Sequence, residues 1–403
     1  MTLTTSTNAA VNMELLRAAT QRSIIRAIGA LWPGKGVVFG QQCPSVTSYV
    51  CRVTVDGEEL IAKYSWLGMS LVSILRGAGG TWEEVREAQR SYVRSAGLLT
   101  VREARNLELL RGFGRPRVCE TAGLSAGVLF TRPVAGVPLA DEVAARPGDT
   151  GALLDAALLA VGDLHGPAGA EALGDAIPIG ERSVAGVFHR KFGGAGAAGY
   201  LAGLGRESGL PEEERQEIAR LVRVTVWRLL QLARTLPARQ PTAVYGDLKP
   251  EHVYVDVDGP CLRFIDPAVQ WAAGPQTDVA KLTGRTLLLA LGLPDRRAGR
   301  QIVQGVASTL GRQFPGLAEQ ERAVRLREVV VLWLMDTVNI LTTCLSAPLE
   351  LPLAFHQQVL VARAREVAGI VALVSAVLVG TMDGPRVLDV MFSEVESAVG
   401  GGR

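Results

Sequence analysis

Residues 244–267, VYGDLKPEHVYVDVDGPCLRFIDP, decide how this chain is interpreted. A strand-like run ends in a polar loop, the chain restarts as a strand, and a second strand delivers Asp266 just past its end. Asp247, Lys249 and His252 stand in the polar loop. A strand–loop–strand hairpin returns the chain on itself, so we expect Asp247 and Asp266 to face one cleft.

Two acids and a lysine in this arrangement suit phosphoryl transfer. That reaction needs positioned phosphates, a metal ion and a base near the attacking hydroxyl more than it needs covalent help. Asp247 would accept or orient the hydroxyl proton, and Lys249 would offset the charge that develops on the transferred group. Asp266 would offer Mg²⁺ a hard carboxylate oxygen. The simpler alternative is that Asp247 is an ordinary turn residue before a strand.

The composition narrows the class of protein only slightly. With 403 residues, of which 48% are hydrophobic, the chain is long enough for two lobes or domains. The formal net charge is +2 and Arg is spread along the chain, so we expect no nucleic-acid partner. Lysine is scarce, which draws attention to each one. The lysines are Lys35, Lys63, Lys191, Lys249 and Lys281.

Cysteine usage and the apolar segments exclude further classes. The 5 cysteines include no CxxC pair, which argues against a disulfide framework or a zinc site. The amino-terminal residues lack a basic segment followed by an apolar core, so we expect no secretory signal and a cytoplasmic location. Residues 367–382 are almost wholly apolar but shorter than the roughly 20 residues of a spanning helix. We therefore expect a buried core helix and no membrane partner.

The first third of the chain predicts a sheet with helices. Apolar spacing predicts helices at 12–31 and at 82–112, the second interrupted near Gly97. Strand formers on both sides of Asp56-Gly57 predict a hairpin. RPRVCET and AGVLFTRPV predict two more strands, separated by a turn that contains Gly and Ser.

The rest of the chain is mostly helical in pattern. Helices are predicted at 150–165 and 211–236, and again from 277 onwards with breaks at the prolines. Residues 166–209 are rich in Gly and Ala with weak periodicity. They are open to two interpretations, a substrate-facing insertion or loosely packed helices.

The segment YGDLKPEH, followed by FIDP and then TDVAKL, resembles the catalytic core of the aminoglycoside phosphotransferase and choline kinase-like family. The resemblance covers about residues 36–290 and puts Asp247 at the catalytic position and Asp266 at the metal-binding position. It puts Asp278 at an acid that braces the loop from a helix start. It implies an α+β, protein-kinase-like bilobal fold. The antiparallel β-sheet amino lobe would span residues 1–133 and the mostly helical carboxyl lobe residues 134–403.

The resemblance also implies a nucleotide site, with ATP and Mg²⁺ as cofactors. Lys63 in ELIAKYSW resembles the family's strand lysine, and Glu103 is our choice for its helix partner, with Glu108 as the rival. Candidate nucleotide contacts are two hydroxyls of the phosphate-covering segment and one hinge residue, namely Ser45, Ser48 and Thr131.

Two residues depart from the family pattern. Tyr245 stands where the family has His, a packing position. His252 stands where the family has Asn as second metal ligand, and imidazole suits Mn²⁺ or Zn²⁺ better than Mg²⁺. Both a ligand role and a structural role stay open for His252, and Mn²⁺ stays open beside Mg²⁺.

The leading hypothesis is an ATP-dependent kinase that phosphorylates a hydroxyl of a small molecule, either an antibiotic or a biosynthetic intermediate. The near-neutral charge argues against a polycationic substrate. The alternative is a nucleotide-binding pseudokinase that acts as a regulatory or interaction module. A protein or peptide kinase is disfavoured because no activation segment follows Asp266. The carboxyl-terminal helices could cover the substrate or form a homodimer, and the sequence leaves both open.

Overall fold

The structure, a computed structural model, describes residues 10–174, 177–256, 261–381 and 383–399. The chain divides into two compact units. Unit 1 comprises Met1–Glu108, Cys119–Val134 and Ser346–Ala354. Unit 2 comprises Leu109–Val118, Ala135–Leu345 and Phe355–Arg403.

Unit 1 is built on a five-stranded antiparallel sheet in the order β1-β2-β3-β5-β4. Its strands are β1 (Val37–Cys43), β2 (Tyr49–Val55), β3 (Glu58–Tyr64), β4 (Thr121–Ser125) and β5 (Val128–Thr131). Its helices are α1 (Met13–Leu31), α2 (Leu71–Leu75), α3 (Trp82–Tyr92) and the first part of α4 (Leu99–Phe113). The predicted helices and the predicted antiparallel sheet are confirmed.

Alternation along β3 decides which way Lys63 points. Leu60, Ala62 and Tyr64 are buried and share one face of the sheet, so Lys63 projects from the other face. The β2–β3 hairpin turns at Asp56 and Gly57, which have φ of 52° and 88°. Positive φ at both turn positions matches the right-handed twist of the two strands.

One predicted strand is wrong. Residues 115–120 of RPRVCET do not form a strand, and among them Val118 makes an isolated bridge. The strand lies further on, at β4, and the turn to β5 is made by Ala126 and Gly127, both with positive φ. Pro116 has no N–H to give to a ladder, which explains why the earlier segment does not pair.

Unit 2 is mostly helical. Its helices are α5 (Leu139–Ala145), α6 (Thr150–Gly162), α7 (Pro167–Gly174), α8 (Val184–Phe192), α9 (Ala197–Ala202), α10 (Glu212–Ala233), α11 (Gln276–Gly292), α12 (Arg296–Arg312), α13 (Glu319–Leu345), α14 (Phe355–Ala362), α15 (Ala364–Gly380) and α16 (Gly384–Ala398). The region left open at 166–209 therefore consists of short helices where it is described. The predicted breaks at the prolines are confirmed by the ends of α11, α12 and α13.

Small strands in unit 2 carry residues 244–267, the segment that contains Asp247 and Asp266. They are β6 (Val137–Pro138), β7 (Thr242–Val244), β8 (Val253–Val255), β9 (Leu262–Phe264) and β10 (Gln270–Ala272). β8 pairs with β6 and with β9, and β7 pairs with β10, all antiparallel. The predicted hairpin is thus the β8–β9 pair, and residues 257–260 of its loop lie outside the described residues.

The helices α13 and α15 supply much of the apolar interior of unit 2. α13 is the one helix in the described part of the chain whose length and composition would allow it to cross a membrane. The most apolar stretch of α13 is 83% buried within the protein, as a core helix would be. α15, the apolar stretch singled out in the sequence, also buries residues along its length, including Val367, Val371 and Leu378.

Candidate active site

The segment between β7 and β8 begins with a backbone conformation, at Gly246, that requires glycine. Gly246 has φ of 84°, and a Cβ there would lie 2.2 Å from the carbonyl oxygen of Ala268. Tyr245 before it is fully buried, and its hydroxyl donates to the carbonyl oxygen of Ile265 at 2.7 Å. Tyr245 therefore ties the segment of Asp247 to the segment of Asp266, which suits the packing role predicted for it.

Asp278 holds this segment from α11. Its Oδ2 and Oδ1 accept the backbone N–H groups of Tyr245 and Gly246, both at 2.8 Å. His165 Nε2 lies 2.9 Å from Oδ2 of the fully buried carboxylate. The expected bracing is present. Asp278 makes these contacts from the first turn of α11, which begins at Gln276 with Pro275 as its N-cap.

The structure brings three sequence-predicted residues of unit 2 together. One ligand atom each from Asp247, His252 and Asp266 lie within 4.8 Å of one another. Lys249 joins them, with its Nζ 3.5 Å from Asp247 Oδ2. Asp266 has φ of 56°, an uncommon conformation for a residue with a side chain that is often found at functional sites.

Two further cations, missed in the sequence, contact the acids. Lys281 of α11 places Nζ 2.5 Å from Asp247 Oδ1, and Arg182 places Nη1 3.0 Å from Asp266 Oδ1. Arg182 ends a short 3₁₀ helix, Gly180–Arg182, which follows the hydrogen bond from Ile179 N–H to the Val269 carbonyl. The scarcity of lysine could have singled out Lys281, but nothing in the sequence marks Arg182 among many arginines.

These cations determine the ionisation of Asp247. Burial raises the pKa of its carboxyl, but the charges of Lys249 and Lys281, with smaller effects of His252 and Arg182, outweigh it. The pKa of Asp247 is therefore held well below its ordinary value. Asp247 is a carboxylate at neutral pH, with a protein cation near each of its oxygens.

His252 has the protonation state of a metal ligand. Burial and then the charge of Lys249 lower the pKa of its imidazole to about 4, so the ring is neutral at pH 7. Its Nδ1 donates to the carbonyl oxygen of Asp247 at 3.1 Å, which leaves the lone pair on Nε2. Nε2 faces Asp266 Oδ2 at 3.5 Å.

The residues present therefore fit a divalent cation. A lone-pair nitrogen and a carboxylate oxygen face each other, and the other ring nitrogen is fixed by a carbonyl, as is usual for metal-binding histidines. The donor set of imidazole and carboxylate suits Mn²⁺ more closely than Mg²⁺, which prefers oxygen ligands throughout.

Two more pairs of titratable side chains, one of them an ion pair, lie beside the cluster in unit 2. Arg285 of α11 donates to Asp336 of α13 from Nε at 2.6 Å and from Nη2 at 3.1 Å. His356 Nε2 lies 3.3 Å from Glu251 Oε1. Burial and nearby charges lower the pKa of His356 below its ordinary value, so its ring is neutral at pH 7. The surroundings of Asp247 thus mix carboxylates and cations.

In unit 1, Lys63 pairs with Glu103, the helix partner chosen from the sequence. Lys63 Nζ lies 2.8 Å from Oε1 and 2.7 Å from Oε2 of Glu103, and both residues are buried. The strand β3 and the helix α4 thus supply the lysine–glutamate pair that the sequence predicted.

The three predicted nucleotide contacts of unit 1 differ in their hydrogen bonds and in their burial. Ser45 Oγ accepts the backbone N–H groups of Thr47 and Ser48 at 3.4 and 3.3 Å, so it stabilises the turn between β1 and β2. Ser48 is fully buried, and its hydroxyl makes no hydrogen bond within the described residues. Thr131 ends β5 opposite Ile61 and is partly exposed. Their roles in nucleotide binding stay predictions.

No protein-family model matches the chain, and no match was found among curated proteins. Several solved structures resemble it. An ethanolamine kinase from Plasmodium vivax is 12% identical with a TM-score of 0.44, over 90% of each chain. An aminoglycoside phosphotransferase from Streptomyces rimosus is 17% identical with a TM-score of 0.45, over 80% of this chain and 98% of its own. A choline/ethanolamine kinase family protein from Mesorhizobium loti is 16% identical with a TM-score of 0.42, over 96% of this chain and 100% of its own. These proteins are of the kinds that the segments YGDLKPEH, FIDP and TDVAKL resemble, and the similarity to them is one of fold alone.

Proposed function

We propose that this protein is an ATP-dependent phosphotransferase that phosphorylates a hydroxyl of a small molecule. The observation that supports it is the meeting of Asp247, His252 and Asp266 within 4.8 Å, with Lys249 beside Asp247. A base, a metal site and a cation at the transferred group are the parts that phosphoryl transfer requires.

Asp247 would orient the acceptor hydroxyl and receive its proton. Its low pKa makes it a weak base, which is sufficient because the transition state of phosphoryl transfer is loose in most analyses and asks mainly for positioning. Lys249, with about a quarter of its side chain exposed, would offset charge on the transferred phosphoryl group.

Asp266 and His252 would hold a divalent cation through Oδ2 and Nε2. When bound, the cation offsets negative charge on the nucleotide phosphates. Mg²⁺ is the expected ion, and the imidazole gives Mn²⁺ an advantage.

In unit 1, Lys63 would contact the phosphates of ATP, with Glu103 holding its ammonium group in place. The polar groups near the β1–β2 turn, Ser45 and Ser48, and the hinge residue Thr131 are proposed as additional nucleotide contacts. Ser48 is the most suggestive of these, since a fully buried hydroxyl without a hydrogen bond is uncommon.

The acceptor is proposed to be an antibiotic or a biosynthetic intermediate that is not a polycation. Lys249, Lys281 and Arg182 lie at the acids where an acceptor would bind, and a polycation would be repelled there.

A pseudokinase is the second candidate, and one observation favours it. Arg182 and Lys281 already neutralise Asp266 and Asp247, as would be expected if neither acid served a metal or a substrate. Turnover of ATP by the purified protein, with Mg²⁺ and with Mn²⁺, separates the two candidates.

The decisive experiment is a mass-spectrometric screen for addition of one phosphate to hydroxyl-bearing antibiotics and sugars. We expect Asp247→Asn to lower transfer by about 1,000-fold or more while ATP still binds, because the hydroxyl loses the group that orients it. The control is Asp149→Asn, an exposed aspartate paired only with Arg146 among the described contacts. Unchanged transfer by Asp247→Asn would show that the assignment of the base is wrong.

A further inference from the structure

Asp247 is contacted by two lysines in different ways. Lys281 Nζ lies 2.5 Å from Oδ1, whereas Lys249 Nζ lies 3.5 Å from Oδ2. The side chain of Lys281 is 9% exposed and that of Lys249 is 26% exposed. Lys281 is therefore a short, buried partner of one oxygen, and Lys249 is a longer, more open neighbour of the other.

The position of Lys281 is fixed by the helix that also holds the backbone before Asp247. Lys281 follows Asp278 by three residues on α11, so both side chains lie on one face of the helix. Asp278 accepts the N–H groups of Tyr245 and Gly246, and Lys281 reaches the next residue, Asp247. One rigid element therefore fixes both the main chain before the carboxylate and the carboxylate itself.

Arg285, one turn further along α11, also favours the contact of Lys281 with Asp247. Asp336 of α13 is another carboxylate near this face, and Arg285 binds it through two hydrogen bonds. The short contact of Lys281 is made with Asp247.

We propose that Lys281 is a positioning residue for Asp247, holding Oδ1 so that Oδ2 is the oxygen presented to the acceptor hydroxyl. This inference rests on the proposed function of Asp247. Without Lys281 the carboxylate could rotate about its last bond, and the reacting oxygen would lose its fixed place. The role differs from that of Lys249, which is proposed to act on the transferred group.

The test compares steady-state ADP release from Mg²⁺-ATP, with water as the acceptor, in wild type, Lys281→Met and Lys281→Arg. We expect Lys281→Met to lower kcat by about 100-fold and to change the KM for ATP by less than about threefold, since a misplaced base affects the reaction and not nucleotide binding. Lys281→Arg restores a donor and should recover at least about a tenth of the wild-type kcat.

The matched control is Lys191→Met. Lys191 is a partly buried lysine of the same unit, and its Nζ donates to Asn339 O at 3.0 Å and Thr343 Oγ1 at 2.8 Å. Losing it should change kcat less than about threefold. In an Asp247→Asn background, Lys281→Met should have no further effect beyond about twofold, because the group that it positions has gone.

Crystal structures of wild type and Lys281→Met give a readout that does not depend on turnover. We expect the carboxylate of Asp247 to change its orientation in the variant. An unchanged orientation, a kcat within about twofold of wild type, or an equal loss in the Asp247→Asn background would each overturn the inference. If Lys281→Met does not fold, Lys281→Gln replaces it in every comparison.

The outcomes also separate this inference from the proposed function. ADP release by wild type that equals that of Asp247→Asn, both with water and in the screen of hydroxyl-bearing acceptors, would overturn the proposed function and the positioning role together. ADP release by wild type that falls in Asp247→Asn but not in Lys281→Met would overturn the positioning role alone.

Discussion

Asp247 is a buried carboxylate whose charge is balanced by neighbouring side chains. The ammonium groups of Lys249 and Lys281 lie near different oxygens, and with smaller effects of His252 and Arg182 they outweigh the effect of burial on the pKa of Asp247. Burial without such partners would favour the neutral acid, which could not accept a proton. The two lysines therefore explain how a buried residue can be ionised at neutral pH.

His252 should make stability depend on pH in a defined range. Its pKa is about 4 in the folded protein and near 6.5 when unfolded, so the unfolded state binds the proton more readily between these values. Stability is therefore lost as the pH falls from about 6.5 towards 4. We expect this loss to be at most about 3 kcal/mol and to be absent in His252→Asn. Urea denaturation of both proteins between pH 7 and pH 4.5 measures it.

The control for this prediction is His189→Asn, because His189 is exposed on α8. Its stability should follow that of wild type across the same range of pH. If the free energies of unfolding of wild type and His252→Asn change in parallel, the imidazole of His252 is not held neutral by burial.

At the scale of elements, α11 organises the candidate site. Asp278, Lys281 and Arg285 follow one another at intervals of three and four residues, which places them on one face of the helix. They bind, in order, the main chain before Asp247, the carboxylate of Asp247 and the carboxylate of Asp336. The helix α11 thus connects the segment that contains Asp247 to α13.

Asp278→Asn should loosen this connection. The amide that replaces one carboxylate oxygen cannot accept a backbone N–H, so a fully buried donor of Tyr245 or Gly246 loses its partner. We expect a loss of about 2 kcal/mol in the free energy of unfolding, with a fall in phosphotransfer as Gly246 shifts. Urea denaturation and the transfer assay measure the two effects.

The comparison variant is Asp163→Asn, since Asp163 is exposed near His165. It should cost less than about 0.5 kcal/mol. Equal stability of Asp278→Asn and wild type would mean that the two N–H groups do not depend on the carboxylate.

Whether the sequence could predict a contact depends on how far apart in the chain the contacting residues lie. The segment that contains Asp247 was predictable because Gly246, Asp247 and Lys249 are close in sequence and their order carries the pattern. The contacts of Lys281 and Arg182 join different elements, and no local pattern encodes them. The strand misplaced at RPRVCET has a local cause, since the missing N–H of Pro116 was visible in the sequence.

At the scale of the whole molecule, the α+β class and most helices were predictable from periodicity and proline breaks. The antiparallel sheet of unit 1 was also predictable from its hairpin turn and strand formers. The surroundings of Asp247 were not predictable, because they are drawn from several elements of unit 2, including α11, α13 and α14. Their side chains meet only after folding.

Nucleotide binding should stabilise the protein through Lys63. A non-hydrolysable ATP analogue with Mg²⁺, at ten times its Kd, should add about 1.4 kcal/mol to the stability of wild type. Lys63→Ala should lose most of this gain, since the phosphates lose the ammonium group. Thermal unfolding of each variant with and without the analogue measures the gain, independently of any change in the stability of the free protein.

Lys35→Ala is the matched variant for this comparison. Lys35 is another lysine of unit 1, and it is half exposed and paired with Asp56. It should keep the full gain from the analogue. A full gain in Lys63→Ala would remove Lys63 from the nucleotide site.

The ion pair of Arg182 with Asp266 has a consequence for how the proposed metal ion would bind. Because Asp266 already has a positive partner, the protein itself balances part of the negative charge that neighbouring carboxylates place in this cluster. If Asp266 Oδ2 holds a divalent cation, as proposed, that cation would share the carboxylate with Arg182, which lies at Oδ1. On that proposal we expect metal to bind weakly without nucleotide, and the phosphates of a nucleotide would supply the remaining attraction.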